Sequence, residues 1–189
     1  MKIILMRHGR PEIDLESMKK NRVTAMQSGA IIDQYELSDL ATDQSPPVDA
    51  LDIARQCKIV FNSDLPRSIS SVRLLGVSTD AITNAQFRES ALPWLSWSWP
   101  KLGLFTWCIL FRIAWLFGFS KNGEDIGNAK TRALACAGIL QKQANSGQPV
   151  LLLGHGIMNR LIAKQLKKSG WKQIETNGER YWSFTIFER

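Results

Sequence analysis

Short apolar runs alternate with longer amphipathic stretches along most of the chain. Ile3–Met6, Lys58–Phe61 and Val150–Leu153 each have about the length of a buried parallel strand, and each passes into a polar or glycine-marked turn. Between them the apolar positions recur at helical spacing. Pro46 and Pro47 open a segment with Val48, Leu51 and Ala54 on one face, and Pro66 opens another carrying Ile69, Val72 and Leu75. The longest predicted helix runs from about Glu124 to Asn145, with Ile126, Ala129, Ala133, Ala137, Leu140 and Ala144 in one stripe and Gly147 suited to its C-terminal cap. A further helix follows Gly156 and ends near Gly170. The alternation of Trp182, Phe184 and Ile186 with Tyr181, Ser183 and Thr185 predicts a last strand.

Strands alternating with helices imply an α/β fold, a three-layer sandwich with a mostly parallel central sheet flanked by helices. Two stretches interrupt this rhythm. Residues 10–45 are polar and without strong punctuation, and residues 93–119 are aromatic-rich and have the character of an insertion.

Both histidines of the chain stand at equivalent places. His8 follows the first apolar run in Arg7-His8-Gly9, and His155 follows the third in Gly154-His155-Gly156. In open α/β sheets, ligands bind beyond the carboxyl ends of the strands, so both imidazoles are expected at one sheet edge. The glycine after each permits a tight turn and close approach of backbone to a ligand. Arg67 falls in the first turn of a helix, beside free backbone N–H groups that attract anions. Two imidazoles with Arg7 and Arg67 make a suitable cradle for a phosphate and a poor one for a cation. A lone histidine is ordinarily a satisfied core or surface group; the matched pair argues against that here. This geometry requires the two rings to face one anion-sized gap that solvent can reach.

Composition narrows the partners. The 189 residues suit one domain, taken as residues 1–189, and the formal net charge of +7 favours anionic ligands. No Lys/Arg-rich run of the kind found in nucleic-acid-binding arms occurs, so no nucleic acid is expected. Cys57, Cys108 and Cys136 lack the paired spacings of zinc or redox sites, which points to reduced thiols and a cytoplasmic location. The apolar run Ile3–Met6 stops at Arg7 and is too short for a secretory signal.

Arg7-His8-Gly9, Ser63-Asp64-Leu65-Pro66-Arg67-Ser68, Phe87-Arg88-Glu89 and Gly154-His155-Gly156, in that order, resemble the motifs of the histidine phosphatase superfamily, which includes phosphoglycerate mutases and many small phosphatases. Gly123-Glu124-Asp125, with Arg132 beyond it, is similar to the family's Gly-Glu-Ser segment. The resemblance leaves out residues 10–45 and 93–119, and Arg10-Pro11-Glu12 departs from the family's usual continuation.

The resemblance implies a phosphomonoester hydrolase that needs no cofactor and no metal. His8 would be the nucleophile that becomes phosphohistidine. Arg7, Arg67, His155 and the Gly156 backbone would bind the phosphoryl oxygens. Glu89 would protonate the leaving alkoxide and then activate water. The substrate would be a phosphorylated small molecule or a phosphoprotein. A mutase using the same residues, or a non-catalytic phosphate-binding module, stands as the alternative.

Residues 94–119 hold five of the seven tryptophans, and Leu102 to Phe119 is apolar nearly all round with Arg112 at its centre. That run is short for a span, and its arginine disfavours insertion, so no transmembrane segment is expected. Residues 93–121 are taken as an inserted helical cap. It packs its aromatics on the domain, walls the substrate pocket, or forms an exposed dimer or peripheral membrane surface. As a pocket wall it implies a partly apolar or aromatic leaving group. Arg112 and Trp94 are then candidate substrate contacts, as is Arg10, which otherwise faces solvent. Nothing in the sequence specifies the oligomeric state.

Overall fold

A computed structural model describes residues 1–19, 21–77 and 81–189. Its main sheet has six strands, β1 (Lys2–Arg7), β3 (Ile59–Asn62), β4 (Ile82–Thr83), β6 (Val150–Gly154), β7 (Lys172–Thr176) and β8 (Phe184–Glu188), in the spatial order β4-β3-β6-β1-β8-β7. The first four are mutually parallel, while β8 runs antiparallel to β1 and β7 antiparallel to β8.

Successive residues of a strand point to opposite faces, and both faces of this sheet are covered. Ile3 and Leu5 of β1 pack with α5 (Ile126–Ala144) and α6 (Gly156–Lys168) through Ala137, Leu140, Met158 and Ile162. Ile4 and Met6 pack on the other side with α2 (Val48–Arg55) and α3 (Pro66–Leu74) through Ala50, Ala54 and Val72. Burial on both sides explains why β1, β3 and β6 are unbroken apolar runs. The three layers agree with the α/β sandwich expected from sequence.

The last strand begins later than expected. Trp182 has φ 64° and lies in a turn closed by a bond from the Ser183 N–H to the Arg180 carbonyl, so the strand starts at Phe184. Strand β7 carries no apolar alternation, because all five of its residues are exposed and it pairs only with β8.

The two stretches that break the αβ rhythm fold against each other. Residues 21–37 supply β2 (Arg22–Val23) and α1 (Ala25–Leu37); residues 102–116 supply β5 (Leu102–Gly103) and α4 (Leu104–Leu116). Strand β2 pairs antiparallel with β5, and Ala25, Trp107 and Phe111 form a separate apolar cluster with Val23, Leu92, Trp94 and Leu95 around it. Residues 21–37 and 93–121 therefore pack on each other as one unit. Helix α1 opens with a capping box, in which Thr24 Oγ1 accepts from the Gln27 N–H while the Gln27 side chain accepts from the Thr24 N–H. Helix α4 is two-faced: Leu104, Trp107, Phe111 and Trp115 are buried, whereas Ile109, Leu110, Ile113, Leu116 and Phe117 are exposed. No helix among the described residues is long and apolar enough to cross a membrane.

Candidate active site

Strands β1 and β6 are neighbours with Arg7 opposite Gly154, so His8 and His155 leave the sheet side by side. Their ring centroids are 4.9 Å apart. The His8 Nδ1–H donates to the Gly9 carbonyl at 2.6 Å, since a carbonyl can only accept. The lone pair is thereby left on Nε2, which faces Arg67 Nε at 3.3 Å. His155 presents Nδ1 to Arg67 Nη2 at 3.4 Å and Nε2 to Ser63 Oγ at 2.6 Å; Arg67 only donates, so the ring proton lies on Nε2.

Burial, with Arg67 and Arg7 close by, holds the His8 pKa well below the usual imidazole value. Burial and the neighbouring His8 and Arg67 lower that of His155 in the same way. Both rings are neutral near pH 7, and the His8 Nε2 electron pair is engaged only by Arg67 Nε among the described residues.

Arg67 is completely buried and lies between the rings, on the first turn of α3 where Pro66 presets the helix. It also donates from Nη1 to the Tyr35 and Glu36 carbonyls, at 3.2 and 2.7 Å, and from Nη2 to the Glu36 carboxylate at 2.9 Å. Every N–H of the guanidinium is engaged. Arg7 donates from Nη1 to the Glu179 carbonyl and stacks on Tyr181, while its buried Nε has no hydrogen-bond partner among the described residues.

Glu89 lies across the N-terminus of α6. Its carboxylate accepts from the Ile157 and Met158 N–H groups at 3.0 and 2.9 Å, and from its neighbour Ser90. A Cβ built on Gly156 would lie 3.7 Å from Glu89 Oε2 and 3.8 Å from Arg7 Nε, in ordinary contact with both, so Gly156 marks where carboxylate, guanidinium and helix end meet. The segment that carries Glu89 is braced by Arg132, which donates to the Gln86 and Arg88 carbonyls and is paired with Glu124.

Arg112 projects from α4 beside this group. Burial lowers its pKa, opposed by the nearby Glu89 and Glu36 carboxylates; its Nη1 reaches Ser90 Oγ at 3.4 Å, and it stacks on Trp115. The remaining two candidates lie elsewhere. The guanidinium of Arg10 is paired with Asp43 at the surface, and Trp94 packs in the cap against Gly29.

Three contributors escape sequence reasoning: Ser63, Glu36 and Tyr181. Ser63 stands inside the quoted Ser-Asp-Leu-Pro-Arg segment, so its position is a usable signal. Glu36 and Tyr181 lie in segments without a motif. The expectation of open imidazoles needs correction. His8 is 2% exposed and His155 fully buried, while Arg7, Tyr181 and the Glu36 side chain, at 27%, are partly open.

A mycobacterial glucosyl-3-phosphoglycerate phosphatase matches 98% of this chain over 88% of its own, with a TM-score of 0.62 and 17% identity. A phosphoserine phosphatase from Entamoeba histolytica, solved with phosphoserine, matches 99% over 90% with a TM-score of 0.60 and 16% identity. Bacillus stearothermophilus YhfR gives 99% over 90%, 0.63 and 18%. The chain has the histidine phosphatase fold. At these identities the likeness to histidine phosphatases is one of architecture. No protein-family model matches the chain, and no curated protein does.

Proposed function

We propose that the chain is a phosphomonoester hydrolase that works through a phosphohistidine on His8. The observation that carries this reading is one buried arginine hydrogen-bonded to two neutral imidazoles held side by side at adjacent strand ends.

Phosphoryl transfer depends mainly on positioning and on offsetting charge at the equatorial oxygens. Because each Arg67 N–H already has a partner, an incoming phosphate displaces the Glu36 carboxylate, the one engaged group on a free-swinging side chain. Arg67 and Arg7 Nε then hold the oxygens, with His155 fixed beside them by Ser63. As Arg67 Nε turns from the His8 Nε2 lone pair to a phosphoryl oxygen, that pair attacks phosphorus, the ester P–O bond breaks, and the leaving alkoxide takes a proton from Glu89. In the second half, Glu89 removes a proton from water, whose oxygen attacks phosphorus and breaks the P–N bond. Splitting the displacement in two lowers each barrier. No metal or cofactor has a part in this scheme.

Arg112, on the cap side of Glu89, would contact an anionic group on the leaving portion. The substrate class is thus a phosphorylated small molecule or phosphoprotein, with residues 1–189 read as one domain and α1 with α4 as its cap. The three unbridged cysteines support a cytoplasmic setting.

The test is turnover of an aryl phosphate in the presence of a chelator. Wild type is expected to turn over and His8→Ala to lose activity, with a trapped phosphoenzyme labile to acid and stable to alkali. Absence of turnover across a panel of phosphomonoesters would favour a phosphate-binding module instead.

A further inference from the structure

The outer face of α4 has no use in the chemistry above. With each residue turning about 100°, Ile109, Leu110, Ile113 and Leu116 fall within an arc of about 120°, and Phe117 follows as the C-cap. Phe117 is 88% exposed, Leu116 60% and Ile109 59%. A helix facing water carries polar groups on this arc, and a continuous apolar stripe at the surface marks a contact. Trp97 and Trp99, also exposed, lie in the segment that leads into β5 and α4. Tryptophan favours the boundary between water and hydrocarbon.

Charge decides what covers the stripe. Lys101 and Lys121 are exposed and flank α4 along the chain, and Arg22 joins Lys101 by donating to its carbonyl. The acidic residues next along the chain are occupied: Glu124 pairs with Arg132, and Asp125 caps the N-terminus of α5. An apolar strip flanked by cations matches a bilayer with anionic headgroups. A second copy laid antiparallel on the same face would bring Lys101 against Lys121 of its partner, like charge on like charge.

We propose that the outer face of α4, with Lys101, Arg22 and Lys121, docks on an anionic membrane surface. The inference stands apart from the phosphatase reading, although Arg112 on the flank of the same helix would set the catalytic mouth beside the bilayer.

Vesicle co-sedimentation tests it, with vesicles of phosphatidylcholine alone and of phosphatidylcholine mixed equally with phosphatidylglycerol. Wild type and His8→Ala are expected to bind the mixed vesicles alike and the neutral ones weakly. The double variant Ile113→Ser with Phe117→Ser, and the charge reversal Lys101→Glu with Lys121→Glu, are each expected to lose about tenfold or more in binding. Both should keep the wild-type melting temperature and aryl phosphate turnover, since none of these side chains is buried. Wild type that fails to bind mixed vesicles, or variants that bind undiminished, would overturn the proposal. So would a dimer in sedimentation that the serine variant dissolves, because it would assign the face to a second copy.

Discussion

The carboxylate of Glu36 lies 2.9 Å from Arg67 Nη2, the donor that also reaches His155 and that the proposed reaction gives to a phosphate oxygen. An anion of the protein itself closes the cradle, and burial raises the Glu36 pKa despite the favourable arginine. Substrate must compete with it. Glu36→Gln is expected to lower KM for an aryl phosphate and the inhibition constant of inorganic phosphate by about two- to tenfold, the worth of a partly exposed ion pair. Unchanged constants would mean that the carboxylate leaves Arg67 at no cost.

Glu89→Gln keeps the shape of the side chain and removes its proton chemistry. With an alkyl phosphate, kcat is expected to fall by about 10²–10⁴, the range for loss of a general acid–base group. An aryl phosphate, whose leaving group needs little protonation, should still give a rapid phosphoenzyme burst followed by slow hydrolysis. Equal losses in both half-reactions for both substrates would speak for a structural role at the N-terminus of α6.

The lowered pKa values of His8 and His155 set a pH dependence of stability. An unfolded imidazole takes up a proton as pH falls below about 6.5, while the folded ones resist. The unfolded state therefore binds more protons in acid, and the stability present above that pH is lost as pH falls toward the folded values. Each group contributes up to about 1.4 kcal/mol per pH unit in this window. Denaturation series from pH 7 down to 5 should show the loss, and His155→Asn should flatten it. Catalysis by His8 should persist below the ordinary imidazole pKa.

Gly29 of α1 faces Trp94 so closely that an added Cβ would lie 2.2 Å from the indole. Gly29→Ala should destabilise by about 1–3 kcal/mol through overpacking, against the ~0.5–1 kcal/mol that alanine gains in a helix. Because α1 also carries Glu36, the variant should bind inorganic phosphate more tightly even as its melting temperature drops. A rise in melting temperature would mean the contact relaxes freely.

What the sequence discloses follows burial. Strands covered on both faces, β1, β3 and β6, stand out as apolar runs, and His8, Arg67 and His155 are found at or just beyond their ends. Strand β7 was invisible because edge position and full exposure leave no pattern. Helix α1 had a readable capping box in Thr24 and Gln27, but its core-facing positions are Ala25, Ser28, Gly29 and Ile32, too small and polar to register as a stripe. That stretch could not be paired with the aromatic one, since their meeting is a long-range contact. Glu36 escaped for that reason: its role exists only once α1 ends over α3. Helix α4 was ambiguous because an apolar outer face looks the same in sequence as a buried one.

The pairing of Arg7 with Gly154 across β1 and β6 makes the interstrand ladder a ruler for the reaction centre. Deleting one residue from either strand would exchange the faces of its side chains and carry one imidazole out of line with the other. Selection for chemistry thus falls on strand registration, a property that neither histidine records by itself.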